Sequence, residues 1–119
     1  MKRGDVYNVR LDSVEGSEQG GSRLVIIVSR NSINTNSPTV LAVPCTTYRT
    51  SKRVYITQVL IYAPEGGLNA DSIALAEQVR ILPKSRFGEY RGSLSISSIE
   101  KISAALAISL DLPTIEGCD

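Results

Sequence analysis

The chain of 119 residues contains no histidine. That absence removes Ser-His-Asp and Cys-His nucleophilic chemistry from within the chain. It also argues against a zinc centre, since imidazole and paired thiolates are the usual ligands. The only cysteines, Cys45 and Cys118, form no C-x-x-C pair. Acid or base work therefore falls to carboxylates, tyrosine, lysine, cysteine or an assisted arginine, and no metal or cofactor is expected. Aromatic side chains are scarce, with five tyrosines, one phenylalanine and no tryptophan. Tyr48, Tyr55 and Tyr62 are weak candidates for stacking on a base. There is no apolar run of membrane-spanning length. The start, Met1-Lys2-Arg3-Gly4-Asp5, lacks the apolar core of a secretory signal, so a cytoplasmic protein without a membrane segment is expected. No repeat, low-complexity tract or linker divides the chain, which reads as a single domain over residues 1–119.

Acidic residues are missing from one long span. The net charge is only +1, yet no Asp or Glu lies between Gln19 and Pro64, where Arg23, Arg30, Arg49, Lys52 and Arg53 occur. Arg80, Lys84, Arg86 and Arg91 follow, interrupted by Glu89, while acids gather between Asp5 and Glu18 and in the tail. A chain neutral in sum can present a positive face that attracts phosphates. Solvated charge blocks account for the same pattern equally well.

A hydrophobic fraction of 42% supports a packed core. Residues 4–11 alternate as a half-buried strand, with Tyr7, Val9 and Leu11 inward and Asn8 and Arg10 outward. A polar, glycine-rich loop over 15–22 leads into residues 23–29, whose apolar, largely β-branched run suits a strand buried on both faces. Arg23 stands where loop meets strand, exposed enough to meet a ligand and fixed enough to aim at it. Residues 31–38 hold turn formers and room for one helical turn, and 39–43 form a third strand that Pro44 should end or confine to an edge. Residues 48–53 read as a polar, basic excursion, 54–61 as a fourth strand and 64–71 as a turn cluster. Residues 72–82 read as one long fifth strand, with Ile73, Leu75, Val79 and Ile81 on its apolar side. Parity puts Glu77 there too, unless a bulge turns it out, and a carboxylate so placed needs a partner. A short turn over 83–87 precedes a helix carrying the stripe Ile99, Ile102, Leu106 and Leu110, capped by Ser97 with Glu100 or by Ser95, and ended by Pro113. Strands followed by one helix suggest a small twisted barrel with a helix on its side.

Several strings occur together in order: Arg3-Gly4-Asp5-Val6-Tyr7, Gly16-Ser17-Glu18-Gln19-Gly20-Gly21-Ser22-Arg23, Ser37-Pro38-Thr39, Gly66-Gly67-Leu68, Asp71-Ser72, Glu77-Gln78-Val79-Arg80 and Ala105-Leu106-Ala107-Ile108-Ser109-Leu110. With them the chain resembles the MazF/PemK family of toxins from bacterial toxin–antitoxin systems. The resemblance implies a mainly β fold with a C-terminal helix, an SH3-like small β-barrel forming a homodimer. It implies a toxin that cuts single-stranded RNA, usually messenger RNA, at short sequences without a metal, and an antitoxin whose flexible C-terminal segment restrains it. Arg23 and Thr46 match the two main catalytic positions, although Pro44-Cys45-Thr46-Thr47 leaves a choice between Thr46 and Thr47. Glu77 is a possible base if it reaches the pocket. Glu18, Gln19, Gly20, Gly21, Ser72, Gln78 and Arg80 fall on segments expected to contact RNA. Gln19, Asn36 and Gln78 are candidates to read base edges. Leu24 departs from the family's common proline. Two other readings are a non-enzymatic CcdB-like toxin that binds a protein such as DNA gyrase, and an RNA-binding module that does not cut.

Overall fold

The computed structural model of the chain describes residues 1–11 and 21–113. Glu18, Gln19 and Gly20 lie outside the described residues. The described elements are β1 (Asp5–Leu11), β2 (Gly21–Ile27), α1 (Asn31–Asn36), β3 (Thr39–Thr47), β4 (Gln58–Ile61), β5 (Ser72–Leu75), β6 (Arg80–Pro83), β7 (Phe87–Ser93) and α2 (Ile96–Ser109). All described pairings are antiparallel, in the order β4-β5-β3-β2-β1-β7, with β6 also on β3. The expected mainly β architecture with a C-terminal helix is present. Among the described residues hydrogen bonds do not close the sheet, because the path ends at β4 and β7, so the barrel is an open one.

β3 holds the sheet together. Its first half pairs β6, from Thr39 opposite Pro83 to Ala42 opposite Arg80. Its second half pairs β5, from Cys45 opposite Ala74 to Thr47 opposite Ser72. Its other edge carries β2, with Val25 opposite Pro44. The expectation that Pro44 would end the strand or keep it at an edge is therefore corrected. The Leu41 carbonyl accepts from Val28 N–H on the β2 side. Alternation then turns Pro44 toward the other side, where β6 has ended and β5 has not begun. A missing donor costs nothing where the neighbouring ladder is interrupted.

The same interruption divides the long strand expected over 72–82. A 3-10 turn at Ala76–Gln78 separates β5 from β6. It turns Glu77 and Gln78 into solvent and resets the alternation, so Leu82 is buried while Ile81 is 63% exposed. The fourth strand is also shorter than expected, since residues 54–57 lie outside β4. β7 has no counterpart in the sequence reading. Its Gly88, Glu89 and Gly92 break the apolar alternation, and its pairing with β1 shifts register twice, as bulged strands do.

Two apolar clusters form the interior. One joins the sheet to α2 through Val6, Ile26, Val43, Ile61, Ala74, Leu94, Ile102 and Ala105. The other, on the opposite face, gathers Val9, Val25, Ala42 and Leu82, covered by Tyr7, Leu11 and Phe87. Ser95 caps α2, its side chain accepting from Ser98 N–H at 3.2 Å. Ile102 is buried as expected, Ile99 and Leu106 are half-buried, and Leu110 is exposed. The Glu65 carboxylate ties the preceding turn to this cap, accepting from Ser95 N–H at 2.9 Å and its hydroxyl at 3.0 Å. Burial pushes that carboxyl's pKa up, but the Ser95 and Ser98 hydrogen bonds and Lys101 outweigh it and leave the pKa lowered. No helix of the described residues is long and apolar enough to cross a membrane.

Candidate functional site

The site lies where β2, β3 and β5 expose their ends together. A cavity of about 270 Å³ is lined by Ser22, Arg23, Leu24, Cys45, Thr46, Thr47 and Ser72. Arg23 sits within β2 with Val9 as its cross-strand partner, so rigid backbone aims it. Its side chain is exposed and holds no hydrogen bond among the described residues. A guanidinium placed like this keeps its fork of donors for a ligand.

Thr46 and Thr47 both border the cavity but differ in surroundings. Thr46 is half-buried and faces Ile73 across the β3–β5 ladder; Thr47 is exposed and faces Ser72. The excursion over 48–53 folds back on them. Lys52 Nζ donates to Thr46 Oγ1 at 3.3 Å and to the Thr47 carbonyl at 3.1 Å. The Lys52 contact was not anticipated. The only hint in the sequence was a lysine in a span without carboxylates, and a loop contact of this kind leaves no periodic trace. Because the ammonium occupies a lone pair of Oγ1, the Thr46 proton stays available for another acceptor.

Ser72 walls the cavity, although its hydroxyl already donates to the Ala70 carbonyl at 2.9 Å. Cys45 is buried below it, at 6% exposure. Burial pushes its thiol from an ordinary 9.0 up to about 12, against the opposing pull of the Arg23 charge. A neutral thiol is a poor nucleophile, so Cys45 serves as floor. In a Cys118→Ser background it is expected to resist iodoacetamide at pH 8.5 in the native protein and to react once urea unfolds the chain. The shift has a sign for stability. Below pH 9 both states hold the proton; between about pH 9 and 12 only the unfolded state loses it, so stability falls as pH rises. Denaturation midpoints should decline more steeply over that range than in Cys45→Ala.

The other expected residues are elsewhere. Glu77 does not line the cavity; its Oε2 accepts from Gln58 Nε2 at 3.0 Å, so an amide partners it where an arginine was considered. Gln78 and Arg80 are exposed and also outside the lining. Gly21 begins β2, one residue before the lining starts. Asn36 Nδ2 is committed to the Ser32 carbonyl. Tyr55 is covered on one side by Arg53, 5.2 Å from its ring centre, and Tyr62 lines a separate cavity between β4 and α2.

Comparison with known proteins gives a consistent result. A family model described as PemK-like, MazF-like toxin of type II toxin-antitoxin system matches residues 2–110. The chain is 43% identical over 115 residues to a protein named Endoribonuclease MazF from Staphylococcus saprophyticus, covering 97% of this chain and 95% of that one. It is similar, with TM-score 0.78 and 29% identity, to an endoribonuclease in complex with its cognate antitoxin from a Mycobacterial species, covering 97% of this chain and 99% of that one. MazE–MazF from Deinococcus radiodurans shares the fold with TM-score 0.77 at 22% identity, over 95% of this chain and 97% of that one.

Proposed function

Because the chain belongs to the PemK-like, MazF-like toxins of type II toxin–antitoxin systems, we propose that it is an endoribonuclease cutting single-stranded messenger RNA at the Arg23–Thr46 cavity. The carrying observation is that a charged fork without a hydrogen-bonded partner and a hydroxyl with a free proton border one cavity.

The reaction needs no metal if the ribose supplies the nucleophile. The 2′-hydroxyl attacks the adjacent phosphorus, the 5′-oxygen leaves, and the products carry a 2′,3′-cyclic phosphate and a 5′-hydroxyl. Negative charge grows on the non-bridging oxygens as the fifth bond forms. Arg23 meets that charge with donors matched to two oxygens. Thr46 donates its proton to a non-bridging oxygen and holds the phosphate in line, while Lys52 orients the threonine and adds positive charge. Among the described lining side chains none is a base at neutral pH, so the 2′-proton passes to solvent water and a proton from solvent reaches the leaving 5′-oxygen, with no residue of this lining assigned to either transfer. Glu77 stands outside it.

Single strands suit this cavity because unpaired nucleotides can be turned to present the sugar. An acidic, flexible antitoxin segment would find the acid-free span from Gln19 to Pro64 complementary. On this reading the protein works in the cytoplasm, as the single domain over residues 1–119 that the sequence suggests, and as a homodimer. Exposed apolar side chains are available for a second copy, among them Leu41 and Ile81, which face each other across β3 and β6.

The deciding experiment uses RNA in excess EDTA, with and without one 2′-deoxyribose at the cut position. Ordinary RNA should be cut and the deoxy linkage should be inert by at least about 10³-fold, the loss of the nucleophile itself. Equal cutting of both would end the reading.

A further inference from the structure

Glu77 has no place at the cavity, yet it holds one end of a series of contacts that finishes there. The 3-10 turn that presents it is rooted by Ala76, which is fully buried in the cluster shared with α2. From this fixed platform Glu77 Oε2 accepts from Gln58 Nε2 at 3.0 Å, and Gln58 Oε1 accepts from Tyr55 N–H at 3.1 Å. The Gln58 amide is thereby engaged through both its donor and its acceptor. Gln58 N–H also donates to the Tyr55 carbonyl at 2.9 Å.

Tyr55 lies at the far end of the excursion that follows β3. The near end is held by Tyr48, whose N–H donates to the Asp71 carbonyl at 2.8 Å. One pin therefore falls just before β5 and the other just after it. Between them Lys52 N–H donates to the Arg49 carbonyl at 2.8 Å, and Arg53 lies over the Tyr55 ring. Lys52 is three residues from Tyr55, at most about 10 Å of extended chain. Where Tyr55 is held therefore bears on where the Lys52 ammonium reaches.

We propose that Gln58 and Glu77 are positioning residues for Lys52, and that Lys52 contacts the scissile phosphate beside Thr46. The inference rests on the ribonuclease reading and adds to it the device that places the ammonium. Lys52 Nζ uses two of its N–H groups, on Thr46 Oγ1 at 3.3 Å and on the Thr47 carbonyl at 3.1 Å. Both acceptors are uncharged, and the third N–H has no acceptor among the described residues. A phosphate oxygen accepting from Thr46 Oγ1 sits one hydrogen-bond length from an atom that Lys52 already touches, so one phosphate meets both donors. Lys52 keeps its proton throughout; it opposes growing negative charge and transfers nothing. A lysine stem is long and flexible, and holding its tip in one place costs rotamer entropy. An anchored backbone reduces the number of places that tip can reach. The clamp needs only an acceptor at position 77. A general base there would need the charge, and a bond that merely stiffened a surface loop would not affect turnover.

The test compares Glu77→Gln, which keeps an acceptor for Gln58, with Glu77→Leu, which does not, each in wild type and in Lys52→Met. On single-stranded RNA, Lys52→Met should lower kcat by about 10²-fold, the loss of one charged donor to the transition state. Glu77→Leu should lower kcat about tenfold with KM nearly unchanged, and Glu77→Gln should restore most of that loss. In Lys52→Met, adding Glu77→Leu should cost less than about twofold more, because the group it positions is gone. Trypsin nicking after Lys52 and Arg53 in the native protein reports on the excursion without RNA. It should be faster in Glu77→Leu and near the wild-type rate in Glu77→Gln. The proposal is overturned if Glu77→Gln is as slow as Glu77→Leu, if Glu77→Leu costs the same with and without Lys52, or if Glu77→Leu leaves nicking unchanged. In each of those cases ordinary cleavage by the wild type leaves the ribonuclease reading standing. A wild type that never cuts RNA, with nicking that follows the expected pattern, supports the placing of Lys52 by Glu77 and ends the ribonuclease reading.

Discussion

Arg23→Ala is expected to lower kcat/KM on single-stranded RNA by about 10³-fold or more, about 4 kcal/mol of transition-state stabilisation. The size follows from what the side chain would do. An arginine stabilising a transferring phosphoryl group contributes charge and two directed donors at the moment the phosphorus gains electron density. Removing it leaves the threonine hydroxyl and the Lys52 charge, neither of which forks two oxygens. Arg23→Lys should recover only part of the rate, because it restores charge but not the planar fork. The fold should survive both changes, since Arg23 is exposed and bonds to nothing among the described residues. Initial rates on a labelled oligonucleotide give the first quantity; circular dichroism and melting temperature give the second. A loss below tenfold in a folded Arg23→Ala protein would remove Arg23 from the chemistry.

Gly67→Ala should unfold the protein more readily than any surface change. Gly67 has φ +75°, a left-handed conformation that costs other residues about 1 kcal/mol. Space is the larger problem. A Cβ there would sit 2.1 Å from the Arg91 carbonyl oxygen and 2.7 Å from its carbon. These are backbone atoms of β7, which pairs β1, so relief requires moving a strand. A loss of about 3–5 kcal/mol is expected, among the largest single-residue effects and a large share of the stability of a domain this size. Melting temperature should fall by about 10–20 °C. Gly21→Ala is the contrast, because nothing among the described residues lies within 4 Å of its added Cβ, and it should change stability by no more than about 0.5 kcal/mol. A Gly67→Ala protein melting within 3 °C of wild type would mean that β7 shifts freely.

Residues with one dominant neighbourhood read well from the chain. The β-branched run before Ser29 became β2, the turn formers after Arg30 became α1, and Ser95, one of two serines considered, caps α2. Failures came where two patterns compete. Residues 72–82 are apolar enough for one strand, and nothing local shows that the chain leaves the ladder at Ala76–Gln78. The cause lies on β3, which changes partner at Pro44 and cannot pair both halves continuously. β7 was missed for the opposite reason: its glycines and charges hide a strand whose pairing with β1 supplies the order its side chains do not.

The chain by itself determined the material of the site: an arginine at the entry to a rigid strand, threonines just past Pro44, no histidine, and a long span without acids. Those are properties of residue type and short-range order, and both are written directly in sequence. Folding decided which of them meet. It brought Arg23 and Thr46 to one cavity through β2–β3 pairing, carried Lys52 back onto Thr46, and turned Glu77 away. Contacts between residues far apart in the chain depend on strand order and register, and a local pattern of apolar and polar residues does not encode either.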